Sequence, residues 1–348
     1  MINTVNELVV PFADLLARAG FDTRLVRVAP CAAGGNNRIY RVETTEGVFV
    51  VKQYFRHAGD LRDRLASEYA FLSYASAAAP EMTPRSYACS PESGMALYEF
   101  VEGQRISPGD VGAAEVQAAI RFFQALNSPQ RFAASGLPAA SEACFSFAEH
   151  LALLGRRIDR LLEAGAAPGV DPKAVELFRR LEEKWRQVSA RIHAAACQVA
   201  FAIENVLPPE QRCVSPSDFG FHNALRKDDG SIRFLDFEYA GWDDPAKTAG
   251  DFFAQLAVPV PTAFFKTFVG QIMGSFPDPE GLAMRAHLLR PAYQIKWCCI
   301  ALNVFLPVHL ARRMFAAPGL DADALMQTQL VKADNILNSM DKTDYGLY

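Results

Sequence analysis

Hydrophobic residues recur along the chain with two distinct periods. Near the start, Leu8, Phe12, Leu15 and Leu16 fall at helical spacing, which predicts an amphipathic helix over 6–19. Strand-like runs follow. Arg24 to Val28 predicts one strand, and Ile39 to Glu43 with Val48 to Tyr54 predicts a hairpin closed by Thr44-Thr45-Glu46-Gly47. A helix is predicted over 60–78, ending before Pro80, then two more strands at Arg85–Cys89 and Met95–Phe100. Beyond Gly103 the period turns helical, across 112–127, 145–165 and 171–205, the last stopped by Pro208-Pro209. A short strand-rich island from Cys213 to Phe237 interrupts it. Four further helices are predicted over 245–257, 261–274, 279–313 and 322–341, with Pro291 a candidate break in the third. The pattern predicts an α+β chain of two lobes: a small β-rich lobe over 1–102 and a large helical lobe over 103–348, with the island near their junction.

Composition narrows the function classes. The 348 residues suffice for two lobes with cores of their own. Half the residues are hydrophobic and 21% are charged, an ordinary globular composition. A net charge of −4 argues against a nucleic-acid binder, which would carry a basic excess. The seven cysteines form no Cys-x-x-Cys pair and no zinc spacing, so reduced thiols in a cytoplasmic protein are expected. The N-terminus lacks a basic segment followed by an apolar stretch. The longest apolar candidate, Cys298 to Ala311, is interrupted by Asn303, Pro307 and His309, so no membrane span is expected.

The candidate chemistry gathers around two aspartates. Asp218 lies in Ser217-Asp218-Phe219-Gly220-Phe221-His222-Asn223, a turn-like segment in which an Asn follows the Asp five positions on. Asp236 ends the apolar run Ile232-Arg233-Phe234-Leu235. Alone, an Asp and an Asn in a loop read as an Asx-turn or a helix cap. Together with a second carboxylate at a strand end they supply the parts of phosphoryl transfer in order: a base for the acceptor hydroxyl, then an amide and a carboxylate oxygen for Mg²⁺. Upstream, alternation places Lys52 on one strand face with Val48, Val50 and Tyr54. By itself it reads as an edge or solvated lysine. Glu68, however, falls on the apolar stripe of Leu61, Leu65 and Leu72, where a carboxylate needs a partner. A Lys52–Glu68 ion pair that aims the ammonium at nucleotide phosphates is expected. Gly34-Gly35-Asn36-Asn37, between the first two strands, offers small residues where backbone N–H groups could approach an anion.

These segments resemble the aminoglycoside phosphotransferase and choline kinase family, whose fold is protein-kinase-like. The resemblance spans roughly residues 20–310. It rests on Gly34-Gly35-Asn36-Asn37-Arg38-Ile39-Tyr40-Arg41-Val42, Val51-Lys52, Ser217 through Asn223, and above all Leu235-Asp236-Phe237-Glu238-Tyr239-Ala240-Gly241-Trp242-Asp243-Asp244-Pro245. It implies a bilobal fold and an ATP- and Mg²⁺-dependent transfer to a hydroxyl of a small molecule. Asp218 would be the catalytic base, and Asn223 and Asp236 would hold Mg²⁺. Lys52, held by Glu68, would meet the nucleotide phosphates beside Gly34, Gly35, Asn36 and Asn37. Leu97 through Gly103 is similar to the family's inter-lobe hinge, which implies that Glu99 and Val101 hold the adenine. Asp251 would brace the catalytic loop. Pro216 stands where the family often has His, so the loop needs another brace. Glu238 replaces the Gly of Asp-Phe-Gly, and no Ala-Pro-Glu follows, which disfavours a protein kinase. Candidate acceptor walls are Trp242, Tyr239, Tyr293, Lys296 and Trp297. Trp297 also reads as core, and Lys296 as a solvated lysine. Turned inward, Lys296 would suit an anionic acceptor, whereas aromatics alone would suit an amine. The rival reading is a catalytically silent, nucleotide-binding interaction module. Nothing in the pattern points to a nucleic acid or membrane partner, or to an oligomeric state.

Overall fold

The computed structural model describes residues 2–31, 35–60, 62–128 and 136–340. The N-terminal helix α1 (Ile2–Arg18) lays Phe12, Leu15 and Leu16 on one face of a sheet, against Val42, Phe49, Val51 and Leu97. That sheet is antiparallel, in the order β1-β2-β3-β5-β4. Its strands are β1 (Leu25–Pro30), β2 (Arg38–Thr44), β3 (Val48–Gln53), β4 (Ser86–Ser90) and β5 (Met95–Glu99). Since side chains alternate, the face opposite Phe49 and Val51 carries Lys52, and just past the strand Tyr54. Helix α2 (Arg64–Ala78) covers that face with Leu65, Glu68, Phe71, Leu72 and Ala75. It starts later than the predicted residue 60, because Asp63 is its cap: the carboxylate accepts from Ala66 N at 2.9 Å. Gly34 and Leu61 lie outside the described residues.

Past β5 the chain runs through 100–103 into β6 (Gln104–Arg105) and the helical part: α3 (Ala113–Leu126), α4 (Phe147–Gly165) and α5 (Pro172–Gln198). Helix α5 stops short of the predicted residue 205. Ala200 adopts φ +51, Phe201 N donates to Ala196 O at 2.8 Å and Ala200 N to Cys197 O at 3.1 Å, a Schellman ending. The island holds β7 (Cys213–Ser215), β8 (Ala224–Arg226), β9 (Ile232–Phe234) and β10 (Gly241–Asp243), paired as β7-β10 and β6-β8-β9.

The closing helices are α6 (Pro245–Ala254), α7 (Phe265–Met273), α8 (Pro279–Leu302), α9 (Pro307–Ala316) and α10 (Ala322–Met340). Helix α8 runs unbroken through Pro291, the candidate break. It is packed by α4, α5, α6, α7 and α10, and this burial overrides the proline penalty. The break comes instead at Pro307, which opens α9 where a missing N–H costs least. Helix α9 returns to the sheet: Arg38 Nε donates to Phe315 O at 2.8 Å and its guanidinium lies 4.4 Å from the Phe315 ring centre. No single helix among the described residues is long and apolar enough to cross a membrane.

Candidate active site

The β8–β9 hairpin joins the two aspartate motifs. Its register pairs Ala224 with Phe234, which brings Asn223 opposite Leu235, and Leu235 N donates to Asn223 O at 2.8 Å. Asp236 therefore leaves the hairpin mouth beside Asn223. The Asn223 amide donates to Asp218 O at 3.1 Å and to Asp218 Oδ2 at 3.2 Å, closing the loop on itself. Two residues here have left-handed backbone, Ser217 at φ +65 and Asp236 at φ +66. Such conformations cost free energy and persist only where surrounding packing fixes them. An aromatic floor does so: Phe219 lies 4.9 Å from Phe252 and 5.2 Å from Phe234, Phe234 stacks on Phe122 at 4.7 Å, and Phe237 lies 4.6 Å from Phe71.

The brace that Pro216 removes is supplied from elsewhere. Ser215 Oγ accepts from Ser217 N at 3.0 Å and meets Thr248 Oγ1, on α6, at 2.8 Å. Asn127, capping α3, exchanges two bonds with the Val214 backbone, at 2.8 and 3.1 Å. Thr248 thus does what Asp251 was expected to do. Asp251 turns to α8 instead, accepting from Lys296 Nζ at 2.7 Å and from Trp297 Nε1 at 2.9 Å. Lys296 is buried and paired, not solvated.

Lys52 stands between two carboxylates. Its Nζ lies 2.6 Å from Glu68 Oε2 and 2.5 Å from Asp236 Oδ1. The pair read from the strand face and the helix stripe is present. Tyr54 OH donates to Glu68 Oε2 at 2.6 Å and Phe237 N to Glu68 Oε1 at 3.2 Å, so the buried carboxylate is satisfied. Burial works against the Lys52 charge, but Asp236 and Glu68 outweigh it and raise its pKa. Asp236 is pushed up to about 6: burial, reinforced by Glu238 and Glu68, overcomes Lys52. Asp218 behaves oppositely. Burial opposes its ionisation, yet His222, with Nε2 at 3.2 Å, and Asn223 hold its pKa below the usual range. Neither Asp236 nor Asn223 belongs to a larger cluster of ligands: no group of three His, Cys, Asp or Glu side chains among the described residues could hold a metal. One carboxylate and one amide oxygen form the hard-donor set that Mg²⁺ uses when phosphates and water complete its shell.

The remaining predicted residues fall nearby. Asn36 and Asn37 both donate to Glu238, at 2.7 and 2.6 Å, and Arg64 adds a third bond at 3.0 Å. Gly35 is overhung by Arg313 of α9, so a Cβ there would fall on the guanidinium. Glu99 ends β5, its carboxylate accepting from Arg85 N at 3.0 Å, and Val101 follows in the connection to β6. A cavity of about 430 Å³ opens on Asp218, Asn223 and Asp236. Tyr239, Lys296 and Trp297 line it. Trp242 and Tyr293 do not: Trp242 pairs with Val214 on β7, and Tyr293 is fully buried with its OH 2.7 Å from His150 Nδ1. Nothing in the residue pattern singles out His222 or most of the cavity's arginines. Arg157 at least was signalled, since it lies on the buried stripe of α4 between Leu154 and Ile158.

Known structures share this arrangement of elements. The chain superposes on a choline/ethanolamine kinase family protein from Mesorhizobium loti with a TM-score of 0.57 at 16% identity, covering 96% of this chain and 94% of that one. For choline kinase from Cryptosporidium parvum Iowa II the TM-score is 0.58 at 12% identity, covering 97% and 96%. For a spectinomycin phosphotransferase in complex with ADP and spectinomycin it is 0.56 at 10% identity, covering 94% and 97%. At these identities the likeness concerns the fold. No curated protein matches the sequence significantly. The model of one family matches residues 27–272, most of the chain, and makes the protein a phosphotransferase. The chain belongs to the phosphotransferase enzyme family, APH.

Proposed function

We propose that the protein transfers the γ-phosphoryl group of ATP, with Mg²⁺, to a hydroxyl of a small molecule such as a sugar, amino sugar or amino alcohol. One observation carries this reading: Asp218, Asn223 and Asp236 meet at a single hairpin mouth, and Asp236 touches Lys52 across the cleft. The strand-rich lobe, 1–102, holds the nucleotide, and the helical lobe, 103–348, presents the acceptor. Lys52, locked by Glu68, directs its ammonium at the phosphates. The backbone around Gly35, Asn36 and Asn37 faces them too, since both Asn side chains are committed to Glu238. The backbone at Glu99 and Val101 holds the adenine. Asn223 Oδ1 and Asp236 hold the metal, which when bound neutralises phosphate charge. An Asp236 carboxylate pushed up by burial and by the neighbouring Glu238 and Glu68 suits a divalent cation, which would favour its ionised form.

In the transfer, Asp218 accepts the acceptor's proton as the hydroxyl oxygen bonds to the γ-phosphorus. The bond to the β,γ-bridging oxygen breaks, and ADP leaves. A low pKa keeps Asp218 ionised at neutral pH, as a base must be. All seven cysteines are unpaired, which suits a reducing cytoplasm. The test is Asp218→Asn, assayed for ATP consumption with a panel of sugars, amino alcohols and aminoglycosides. Turnover should fall by about 10²–10⁴, while ATP still binds. Full turnover in the variant would remove Asp218 from the role of base.

A further inference from the structure

We infer that the acceptor carries an anionic group, phosphate or carboxylate, seated between α4 and α9 on Arg157, Arg160 and Arg312; this rests on the kinase reading above. The cavity that opens on Asp218 is walled at those helices by Arg157 and Arg160 from one side and by His309, Arg312 and Arg313 from the other. Arg157 and Arg312 are buried, at 9% and 8% exposure, so their charges are poorly screened by water. Their counter-charges are few. Glu142 pairs with Arg157. Asp60 lies 3.9 Å from Arg312 but is already engaged by Arg62 and Arg64. Arg160 bonds a backbone carbonyl, Arg156 O, at 3.3 Å. The Nε donors of Arg157 and Arg312 find no partner among the described residues.

The same field acts on His309. Arg312 Nη2 lies 2.8 Å from its Nδ1, which accepts. Burial, then Arg312, Arg157, Arg62 and Arg160, hold its pKa down to about 3. A neutral imidazole amid guanidiniums leaves the cluster's positive charge for a ligand. Planar, forked donors at this density match carboxylate or phosphate oxygens.

The acids that a cationic acceptor would want are already used. Asp251 is saturated by Lys296 and Trp297. Glu238 is closed in by Arg64, Asn36 and Asn37. Asp243 and Asp244 are fully buried, on Lys247 and on Arg285 with His150.

The experiment uses the full chain in two arms. In the first, ATP turnover is compared for matched hydroxyl compounds that differ by one anionic group, such as a sugar and its phosphate ester or a polyol and its acid, beside amino alcohols. The anionic member should lead by tenfold or more in kcat/KM. Arg312→Gln and the exposed Arg160→Gln should each raise the acceptor KM about tenfold while leaving the ATP KM within about twofold. A preference for neutral or cationic acceptors, or a rise in the ATP KM instead, would overturn the inference and leave the kinase reading standing. The second arm needs no turnover: inorganic phosphate binding to Asp218→Asn is measured by calorimetry, with and without Arg160→Gln. Binding that weakens with the arginine change supports the site, and absent or unaltered binding overturns it. If phosphate binds there but no hydroxyl compound is phosphorylated, the kinase reading alone fails.

Discussion

Asp244→Asn isolates the Arg285 ion pair and the His150 hydrogen bond that anchor α6 beneath the site. The carboxylate caps that helix by accepting from Ala246 N at 2.7 Å, and asparagine preserves the cap. What disappears is the charge facing Arg285 Nε and His150 Nε2, the latter at 2.9 Å. Burial opposes the Asp244 charge, but Arg285 and His150 overcome it and lower the pKa from 3.8 to about 2. That gap corresponds to about 2 kcal/mol of folding free energy. Removing it also strands Arg285 in the core, so the loss at pH 7 should be about 2–4 kcal/mol, or on the order of 1 M in urea midpoint. The pH dependence has a fixed sign. The folded pKa lies below the unfolded one, so the contribution is complete well above pH 3.8 and is lost as pH falls toward 2. At pH 3 about half of it, roughly 1 kcal/mol, should remain. Urea unfolding of wild type and variant at pH 7 and pH 3 checks this. A variant as stable as wild type at pH 7, or a stability difference that does not narrow at pH 3, would refute the reasoning.

Three further outcomes follow from the geometry. Lys52→Met leaves Glu68 and Asp236 without their shared ammonium, and kcat/KM for ATP should drop about 10²–10³; steady-state kinetics with varied ATP measures it, and an unchanged value would mean that Lys52 serves stability alone. Asp236→Ala should erase the Mg²⁺ dependence of ATP binding in calorimetry, and a persisting dependence would move the metal elsewhere. Gly250→Ala would drive a methyl into the Tyr293 ring, whose OH is tied to His150 at 2.7 Å. Overpacking there should cost about 1–3 kcal/mol, read as a lower urea midpoint; a neutral result would deny that α6 and α8 approach so closely.

Much of this site could be read from the order of residues because its parts are local or lie on faces set by period. Asp218 and Asn223 share one turn, and Asp236 ends one strand. Glu68 declared itself as an acid on an apolar stripe, and α2 buries it with Leu65 and Leu72. The same logic marks Arg157 among Leu153, Leu154, Ile158 and Leu161 of α4. What period cannot supply is the neighbour across the gap. Asp251 has the expected position on α6, but its partner is a lysine of α8 and not the catalytic loop. Tyr293 and Trp297 sit four residues apart on α8, yet one is fully buried and the other lines the cavity. Arg312 was hidden because 279–313 reads as one helix, whereas the turn before Pro307 re-aims everything after it.

That turn has a mechanical outcome. The ten residues of α9 grip the β-sheet through Phe315 while Arg312 and Arg313 reach into the cleft. The helix is a strap across the mouth of the enzyme, fastened at both edges. A shift of β2 would pull on Phe315 through Arg38, and so on the helix that carries Arg312 and Arg313.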